Sequence, residues 1–575
     1  MNAFTFSFTY TLLLPYPKTL LFSPNRKSSY VSPQAIPKKS SSTQHNKLKP
    51  LKKPLLEPSF LEVFLNACDD FIDTYIDPPR HPFLDPECVL SNNFAPVDEL
   101  PPTECEVVKG TLPSCLNGAY IRNGPNPQYF PRGPFHFFDG DGMLHSTKIS
   151  QGKVIFCSRY VKTYKYLVEK KAGYSVIPNV FSDFNSLIAL VIRGAMSITR
   201  IITGQFNPSN GFGPANTSLA LFGGKLFALY ESDIPYAIKL APNGDIITIG
   251  SHNFDENLSI NMTAHPKIDP NTNEAFAFRY DPILFPYLTY FRIHPNGVKS
   301  QDLPIFSMTC PSFVHDFAIT KNYAIFPDIQ IEMNLLGLIT GGAPVGTNLR
   351  KVPRLGVIPR YAIDESEMRW FEVPGFNMMH AINAWEEDNG DTIVVIAPNI
   401  LSIEHFLKRL DLVHATIEQV KIDLKTGKVS RNLMSKRNLE LACINRAYTG
   451  KKNKYIYAAI ADPLPKAKGV VKLDVSMLEI DRQHDCIVAT RIFGQNCFCS
   501  EPIFVPKDHD NVFAADEDDG YVVCYMHNES TKESSFMVMD AKTHDLEIVA
   551  VVKLPHRVPY GFHGIFVKES DLNML

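Results

Sequence analysis

The stretch Lys225–Gly250, KLFALYESDIPYAIKLAPNGDIITIG, consists of short apolar runs that are separated by turn residues. It contains an apolar strand, a second strand and then a turn built on Asn and Gly. Runs of this length, bounded by turn signals, favour β-strands over helices. The stretch therefore predicts consecutive antiparallel strands that are joined by tight turns.

Versions of this module recur toward the C-terminus of the chain. They are EAFAFRYDPILFPYLTYFRIHPNGVKS, TIVVIAPN leading to VKIDLKTGKVS, YIYAAIADPLPKAKGVVKLDV, and VVCYMHNESTKESSFMVMDAKTHDLEIV. Four-stranded modules of this size are typical of a β-propeller, in which each blade covers the face of the next. Three other stretches have helical spacing of apolar residues: SFLEVFLNACDDFIDTYID, SLIALVIRGAMSITRIITGQF and SIEHFLKRLDLVHATIEQV.

The overall composition is that of an ordinary globular protein. The chain has 575 residues, of which 45% are hydrophobic and 20% charged, and its formal net charge is -3. A chain without a basic surplus is not suited to bind a phosphate backbone, so we expect no nucleic-acid partner. The 11 cysteines are scattered and lack metal-finger spacing, which indicates a reducing compartment without a disulfide framework.

The N-terminal segment has a different composition from the rest. Residues 1–56 contain no Asp or Glu, whereas Lys, Arg, Ser and Thr are frequent. This composition is typical of an organelle transit peptide. A secretory signal and a disordered tail are the alternatives. The sequence thus predicts a transit peptide with a basic linker, KLKPLKKP, over residues 1–56, followed by a single domain over residues 57–575.

A series of histidines and glutamates recurs with the phase of the predicted blades. His265, His315 and His380 each precede the first strand of a module. The series continues at intervals of roughly sixty residues through Glu440 and Glu501 to His563. Residues that enter the innermost strands of a propeller converge on its central axis. We therefore expect these side chains to meet.

Histidines that meet on an axis suggest a metal centre. Neutral imidazoles leave a divalent ion with its full charge, and four of them leave two positions of an octahedron free, which suits iron(II) and dioxygen. Structural zinc sites use close pairs of ligands instead. The simpler alternative is that a lone residue such as His380, in GFNMMHAINAWEE, is a hydrogen-bonded core histidine.

Several motifs along the chain, taken together and in order, resemble the carotenoid cleavage oxygenases, most closely the plastid type-4 branch of the plant carotenoid cleavage dioxygenases. They are DELPPTECEVVKGTLPSCLNGAYIRNGPNP, FFDGDGMLHS, NMTAHPKIDP, PSFVHDFAIT, MRWFEVPGFNMMHAINAW, SEPIFVP, EDDGYVV and VPYGFHGIFV. The resemblance implies an all-β, seven-bladed propeller with a cap of helices and loops over the metal axis.

The resemblance also implies the site. One Fe(II) ion per chain would be held by His265, His315, His380 and His563. By the family pattern, three carboxylates would orient three of these ligands: Glu231 for His315, Glu440 for His380 and Glu501 for His563. His265 would have no carboxylate partner.

The implied activity is that of a dioxygenase with O2 as cosubstrate. It would cleave a conjugated double bond of a carotenoid or apocarotenoid, at the 9,10 or 9′,10′ position, to give two carbonyl fragments. Because such substrates dissolve in lipid, the resemblance implies a plastid protein at a peripheral membrane or plastoglobule surface. The helix at Leu187–Ile202 is a candidate for lipid contact, and burial in the cap is its alternative.

Three other functions remain open at this point. The first is cleavage of a 9-cis-epoxycarotenoid, which is the activity of a related plastid branch. The second is a carotenoid-binding propeller on plastid lipid bodies that performs no chemistry. The third is a metal-free interaction propeller, against which the His and Glu series argues.

Overall fold

Antiparallel β-sheet dominates the part of the chain that the structure describes. The computed structural model describes residues 59–179, 181, 186–333, 345–480, 485–509 and 515–575. The transit peptide predicted for residues 1–56 lies outside these residues.

Five sheets of four strands each follow one another along the chain. The first two contain β5 (Ser218–Phe222), β6 (Lys225–Leu229), β7 (Tyr236–Leu240) and β8 (Ile246–Ser251), then β9 (Lys267–Ile268), β10 (Ala275–Tyr280), β11 (Leu288–Ile293) and β12 (Leu303–Ile305). The third contains β13 (Ala318–Ile319), β14 (Tyr323–Asp328), β17 (Arg354–Pro359) and β18 (Arg369–Glu372), with a separate ribbon of β15 (Ile331–Met333) and β16 (Val345–Thr347). The last two contain β19 (Asn383–Glu387), β20 (Thr392–Ile400), β21 (Ala415–Asp423) and β22 (Val429–Leu433), then β23 (Leu439–Cys443), β24 (Tyr455–Ile460), β25 (Gly469–Asp474) and β26 (Ile487–Ile492).

The two ends of the described chain share one ten-stranded sheet. Its N-terminal strands are β1 (Leu100–Gly110), β2 (Gly118–Pro125), β3 (Gly142–Ser150) and β4 (Lys153–Tyr160). Its C-terminal strands are β27 (Cys497–Cys499), β28 (Ile503–Pro506), β29 (Gly520–Asn528), β30 (Glu533–Asp540), β31 (Ile548–Lys553) and β32 (Gly564–Lys568). Strands β2 and β32 pair antiparallel, with Ile121 opposite Ile565, so the N- and C-terminal parts of the chain are joined directly.

The number of separate blades differs from the sequence expectation. The fold is all-β and propeller-like, but the described residues form five separate four-stranded sheets rather than seven. The cause is the long strand β1, which pairs with β31 through Glu106 and Lys553 and with β4 through Thr103 and Phe156. This strand joins two groups of strands into one sheet. The pattern of apolar residues does not show that a strand pairs along both of its edges.

Neighbouring sheets pack face to face, and β20 shows how. Its alternate residues point to opposite sides, as the two-residue period of a strand requires. Ile393 and Val395 pack on the third sheet, whereas Val394 and Ile396 pack on the fifth. A strand buried on both faces must be apolar at nearly every position, which explains the unbroken run TIVVIA.

Helices lie between these strands and before them. The α-helices are α1 (Phe60–Phe71), α2 (Pro86–Val89), α3 (Tyr164–Ala172), α4 (Leu187–Ile202), α5 (Met477–Ile480) and α6 (Glu569–Met574), and α1 continues as a π-helix over Ile72–Ile76. Short 3-10 turns occupy Asn92–Phe94, Ser114–Leu116, Phe137–Asp139, Pro208–Asn210, Asp388–Gly390, Ile403–His405, Leu410–Leu412 and Arg446–Tyr448. Among the described helices, none is both long and apolar enough to cross a membrane.

One of the three predicted helices is wrong. Helices α1 and α4 form where the sequence predicts them, but SIEHFLKRLDLVHATIEQV folds as two 3-10 turns followed by strand β21. The second half of this stretch pairs along its length with β20, from Ala415 opposite Ile400 to Asp423 opposite Thr392. Pairing with a buried strand outweighs the helical spacing of Ile403, Phe406 and Leu410.

Candidate metal centre

The innermost strands of the sheets begin close to one another. His265, His315, His380 and His563 each stand within three residues before β9, β13, β19 and β32 respectively. One ligand nitrogen from each of the four lies within 4.8 Å of the others. The Nε2 atoms of His265 and His315 are 3.0 Å apart. The structure thus brings together the four histidines that the sequence singles out.

Three of these imidazoles contact a carboxylate through Nδ1. The Nδ1–oxygen distance is 2.7 Å from His315 to Glu231, 2.9 Å from His380 to Glu440 and 2.8 Å from His563 to Glu501. Among the described residues no carboxylate makes such a contact with His265, whose backbone N–H donates to Thr263 Oγ1. These pairings are the ones that the family pattern implies.

The carboxylates determine which ring nitrogen carries the proton. An ionised carboxylate only accepts hydrogen bonds, so each Nδ1–H must donate to it, and in the neutral imidazole Nε2 is then the nitrogen that carries the lone pair. Burial raises the pKa of Glu440, but His380, the N–H of Leu441 and His563 together lower it further, so the net pKa lies below its ordinary value. Burial, together with the other three histidines, holds the pKa of His265 well below its ordinary value. The three carboxylates therefore orient His315, His380 and His563 so that Nε2 faces the point where the four rings converge.

Backbone groups hold two of the carboxylates in place. Glu501 Oε2 accepts the N–H of Gly564 at 2.8 Å, next to the histidine that the same carboxylate orients. Glu440 Oε2 accepts the N–H of Leu441 at 2.9 Å. Leu441 has a positive φ of 50°, and the register of β23 on β24 shifts between Glu440 and Cys443. This irregularity turns the Glu440 side chain toward His380.

An apolar cavity of about 140 Å³ opens beside His315, His380 and His563. Its walls come from the loops and short turns that cover the strand ends, and they are mostly aromatic or aliphatic. They include Phe137, Phe138, Phe181, Phe313, Met379, Ile400, Phe406, Leu410, Val413, Leu441, Leu464, Pro465 and Phe562. Such a lining can hold an extended apolar molecule against the histidines and exclude water.

A second, polar cavity of about 540 Å³ reaches the histidines among the innermost strands. It is lined by residues of β5, β9, β28 and β32, and it carries Lys267, Asp316 and Arg446. His380 and His563 border both cavities. The four-histidine cluster therefore separates an apolar compartment from a polar one.

The donor set fits a divalent transition metal. It offers imidazole nitrogens without thiolates or carboxylates, which is a set that iron, copper, nickel and zinc accept and that magnesium and calcium do not favour. The ligands come from four separate strand ends rather than from close pairs, so the arrangement is unlike a closed structural zinc site. The four Nε2 atoms could hold one ion.

Sequence reasoning missed one residue of this ring. Thr217 stands immediately before β5, the position that the histidines take in other sheets, and it lines the apolar cavity. Its carbonyl accepts the N–H of His563 at 3.3 Å. A threonine carries no ligand signal, but continuing the series backward from His265 by one module would have reached it.

Comparison with known proteins supports one family. The family described as retinal pigment epithelial membrane protein matches residues 94–568. A protein of Arabidopsis thaliana named probable carotenoid cleavage dioxygenase 4, chloroplastic, is 61% identical over 537 residues, which are 93% of this chain and 89% of that protein. A chloroplastic 9-cis-epoxycarotenoid dioxygenase of Oryza sativa subsp. japonica is 56% identical over 88% of this chain and 80% of its own length. The solved apocarotenoid oxygenase of Synechocystis has a TM-score of 0.68 at 25% identity, covering 84% of this chain and 99% of that one.

We predict that Glu501→Gln weakens metal binding by about 10–100-fold, because an amide supports the His563 Nδ1–H less well than a carboxylate does. Titration of the metal-free protein with Fe(II) under anaerobic conditions measures the change. Glu533→Gln is the matched control, since Glu533 is half exposed and pairs with Lys553 at the surface. Equal affinities of the two variants would show that Glu501 does not support a ligand.

Proposed function

This chain belongs to the family of the retinal pigment epithelial membrane protein and the carotenoid cleavage dioxygenases, and from this membership we propose that it is an iron(II)-dependent dioxygenase that cleaves a carotenoid or apocarotenoid. The observation that carries the proposal is the convergence of four histidines, three of which line an apolar cavity. The apolar lining of the cavity suits a polyene, and the imidazole nitrogens of the cluster suit a divalent transition metal.

The proposed roles divide between two sets of residues. His265, His315, His380 and His563 hold the iron, while Glu231, Glu440 and Glu501 orient the last three of them. At this site iron(II) would supply electron density to dioxygen and so make it reactive toward an electron-rich double bond. The aromatic walls hold the polyene flat beside the histidines and keep water away from the reacting carbons.

The balance of the reaction needs no further reactant. The double bond breaks, each of its carbons receives one oxygen atom of dioxygen, and two carbonyl fragments form. All electrons come from the polyene and the dioxygen.

The lining of the cavity favours a hydrocarbon ring over an oxygenated one. Apart from the histidines, five polar side chains line it: Asn216, Thr217, Tyr230, Glu231 and Glu440. The amide of Asn216 donates to two backbone carbonyls and accepts from Thr217, and both glutamates bind histidines. Tyr230 is a buried phenol. A ring hydroxyl or epoxide would lose hydrogen bonds to water and recover few of them. We therefore propose a carotene-type substrate, with a 9-cis-epoxycarotenoid as the second candidate. Cleavage at the 9,10 (9′,10′) bond is proposed from the names of relatives in Arabidopsis thaliana and Crocus sativus.

A competition experiment tests this proposal. Iron-loaded protein is given equal amounts of β-carotene and 9-cis-violaxanthin in the same micelles, and the products are identified by mass spectrometry. We expect the ketone and aldehyde of 9,10 cleavage of β-carotene, with a preference on the order of tenfold to a hundredfold, because an apolar pocket rejects an added hydroxyl only weakly. His380→Ala should lose both iron and products.

Other outcomes of that experiment would change the proposal. Faster cleavage of the epoxycarotenoid would support the second candidate. Stoichiometric iron without any product would support a binding protein that performs no chemistry. Wild-type activity of His380→Ala would show that this imidazole is only a core residue.

We also propose that the ten-stranded sheet contributes two blades to a seven-bladed ring. In this sheet β32, β2, β3 and β4 are neighbours in that order, and so are β28, β29, β30 and β31. Strand β1 lies between β4 and β31 and pairs with both. His563 stands before β32 and Glu501 before β28, as His265, His315 and His380 stand before the inner strands of the separate sheets. Two blades that share an outer strand account for both observations.

The helix α4 supports contact with a lipid surface. Its residues Ile188, Val191, Ile198 and Ile202 form one stripe and are 58–80% exposed. Its arginines point the other way: Arg193 pairs with Asp73 and Asp77, and Arg200 pairs with Asp69. A helix buried in the cap would turn its apolar stripe inward, so we propose that α4 dips into a membrane or plastoglobule surface without crossing it.

We predict that Ile188→Asp combined with Val191→Asp reduces flotation of the protein with liposomes at least tenfold. Burial of one such side chain in an apolar phase contributes about 1.5–3 kcal/mol, so loss of two should shift the partition strongly. Ile363→Asp is the control, because this residue is 90% exposed in the turn between β17 and β18. Unchanged flotation and unchanged cleavage of micellar carotene would contradict lipid contact through α4.

We propose a plastid location, on the basis of the acid-free composition of residues 1–56 and the names of the chloroplastic relatives. A fusion of residues 1–56 to a fluorescent protein should enter plastids and be shortened there. If this fusion protein stayed in the cytosol without being shortened, the proposal would be contradicted.

A further inference from the structure

Strand β2 carries two buried polar side chains, Tyr120 and Arg122, at alternate positions and therefore on one face. Tyr120 is fully buried and Arg122 is 2% exposed. We propose that both are positioning residues, which hold the Glu501–His563 pair in register with the other three histidines. The inference rests on the proposed metal site, and it assigns these two residues a role in building that site.

Arg122 is a buried charge without a carboxylate partner among the described residues. Burial lowers the pKa of its guanidinium, and only tyrosine side chains act in the opposite direction. Its Nη2 faces His145 Nδ1 at 3.4 Å, and its Cζ lies 5.9 Å from the ring centre of Tyr525. A desolvated charge that lacks a counter-ion is costly for the fold, so a role beyond simple packing is to be expected.

The strongest contacts of Arg122 go to the segment that leads into His563. Its Nη1 donates to the carbonyl of Pro559 at 2.6 Å. The backbone of Gly561 rests directly on the guanidinium, because a Cβ built at Gly561 would lie 2.8 Å from Arg122 Cζ. The planar side chain of Arg122 thus contacts this segment at Pro559 and Gly561, shortly before the ligand His563.

The backbone of β2 continues the same contact. The N–H of Phe562 donates to the carbonyl of Asn123 at 3.0 Å, and the N–H of Asn123 donates to the carbonyl of His563 at 3.0 Å. Phe562 also lines the apolar cavity. Movement of this segment would therefore displace a ligand and a cavity wall together.

Tyr120 reaches the other member of the pair. Its hydroxyl lies 3.2 Å from Ser500 Oγ, which also accepts the N–H of Tyr525 at 3.0 Å. Ser500 is adjacent to Glu501, whose carboxylate binds His563 Nδ1. Tyr120 therefore holds Ser500, which is next to Glu501. Arg122, on the same face of β2, holds the segment that leads into His563.

The location of this contact explains why extra fixation is needed. The other three histidines precede strands that pair with the next strand in the sequence, whereas β32 pairs with β2 from the far end of the chain. A slip of one residue between two strands turns every side chain to the opposite face. Such a slip at β2 and β32 would remove His563 from the ring, and Arg122 and Tyr120 oppose it.

The test compares two variants with matched controls in the full-length protein. Tyr120→Phe removes one oxygen, and Arg122→Lys keeps the charge but loses the planar support. Tyr290→Phe is the first control, since Tyr290 is equally buried and donates to the Arg360 carbonyl at 2.9 Å. Arg360→Lys is the second, since Arg360 is buried and pairs with Asp269 at 2.6 Å.

The readouts are the affinity of the metal-free protein for Co(II), followed by visible absorption, and the melting temperature. We expect Tyr120→Phe and Arg122→Lys to bind Co(II) about tenfold or more weakly, the usual cost of disturbing the support of a ligand. The controls should keep the wild-type affinity even where the melting temperature falls. The Co(II) band shape should change in the two test variants alone.

Two results would overturn the inference. One is wild-type Co(II) affinity and band shape in Tyr120→Phe, which decides the matter even if Arg122→Lys fails to fold. The other is an affinity that falls with melting temperature in test and control variants alike, which would mean a structural role only. Failure of the wild-type protein to bind Co(II) would instead contradict the proposed metal site, and the inference with it.

Discussion

The common starting point of the innermost strands is the constraint on which the rest of this structure depends. When strands are arranged around one axis, the residues that immediately precede them lie at a similar level along the axis and at a similar distance from it. His265, His315 and His380 come together in this way although long stretches of chain separate them. No local motif could assemble four imidazoles at one point, because each side chain belongs to a different sheet.

The surroundings of the four histidines divide the chemistry between two sides. The carboxylates of Glu231, Glu440 and Glu501 accept hydrogen bonds from the outward-facing nitrogens, so the inward-facing nitrogens are left to bind a metal. On one side lies an apolar cavity that suits a polyene, and on the other a polar cavity. An oxidation of an apolar substrate by a metal centre needs this separation, since water in the apolar compartment would compete with the substrate.

Much of the site was readable in the sequence because its residues keep the phase of the repeat. The series through Glu440 and Glu501 to His563 could be followed by counting modules, and the residues so found meet in the structure. Glu231 could not be found in this way, because it follows β6 rather than preceding an innermost strand. Only the resemblance to a family pointed to it. Thr217 keeps the phase but was missed, since a hydroxyl side chain gives no metal-ligand signal.

The fold was predictable in class but not in detail. Alternating apolar runs identify strands, yet they do not show that β1 pairs on both edges and merges two groups of strands. The same limit applies to residues 402–420, where helical spacing of apolar side chains was overruled by pairing with β20. The exposure of the α4 stripe also depended on tertiary partners, because only the pairing of Arg193 with Asp73 and Asp77 shows which side faces inward.

The central claim is that four imidazoles, and no other side chains, bind one iron ion. X-ray absorption at the iron edge of anaerobically loaded protein tests it most directly, because imidazole rings give outer-shell scattering that counts them. The account predicts one iron per chain with four imidazoles among its ligands, and His315→Ala should lower that count by one. Fewer than four imidazoles, or a sulfur ligand in the wild-type protein, would contradict it.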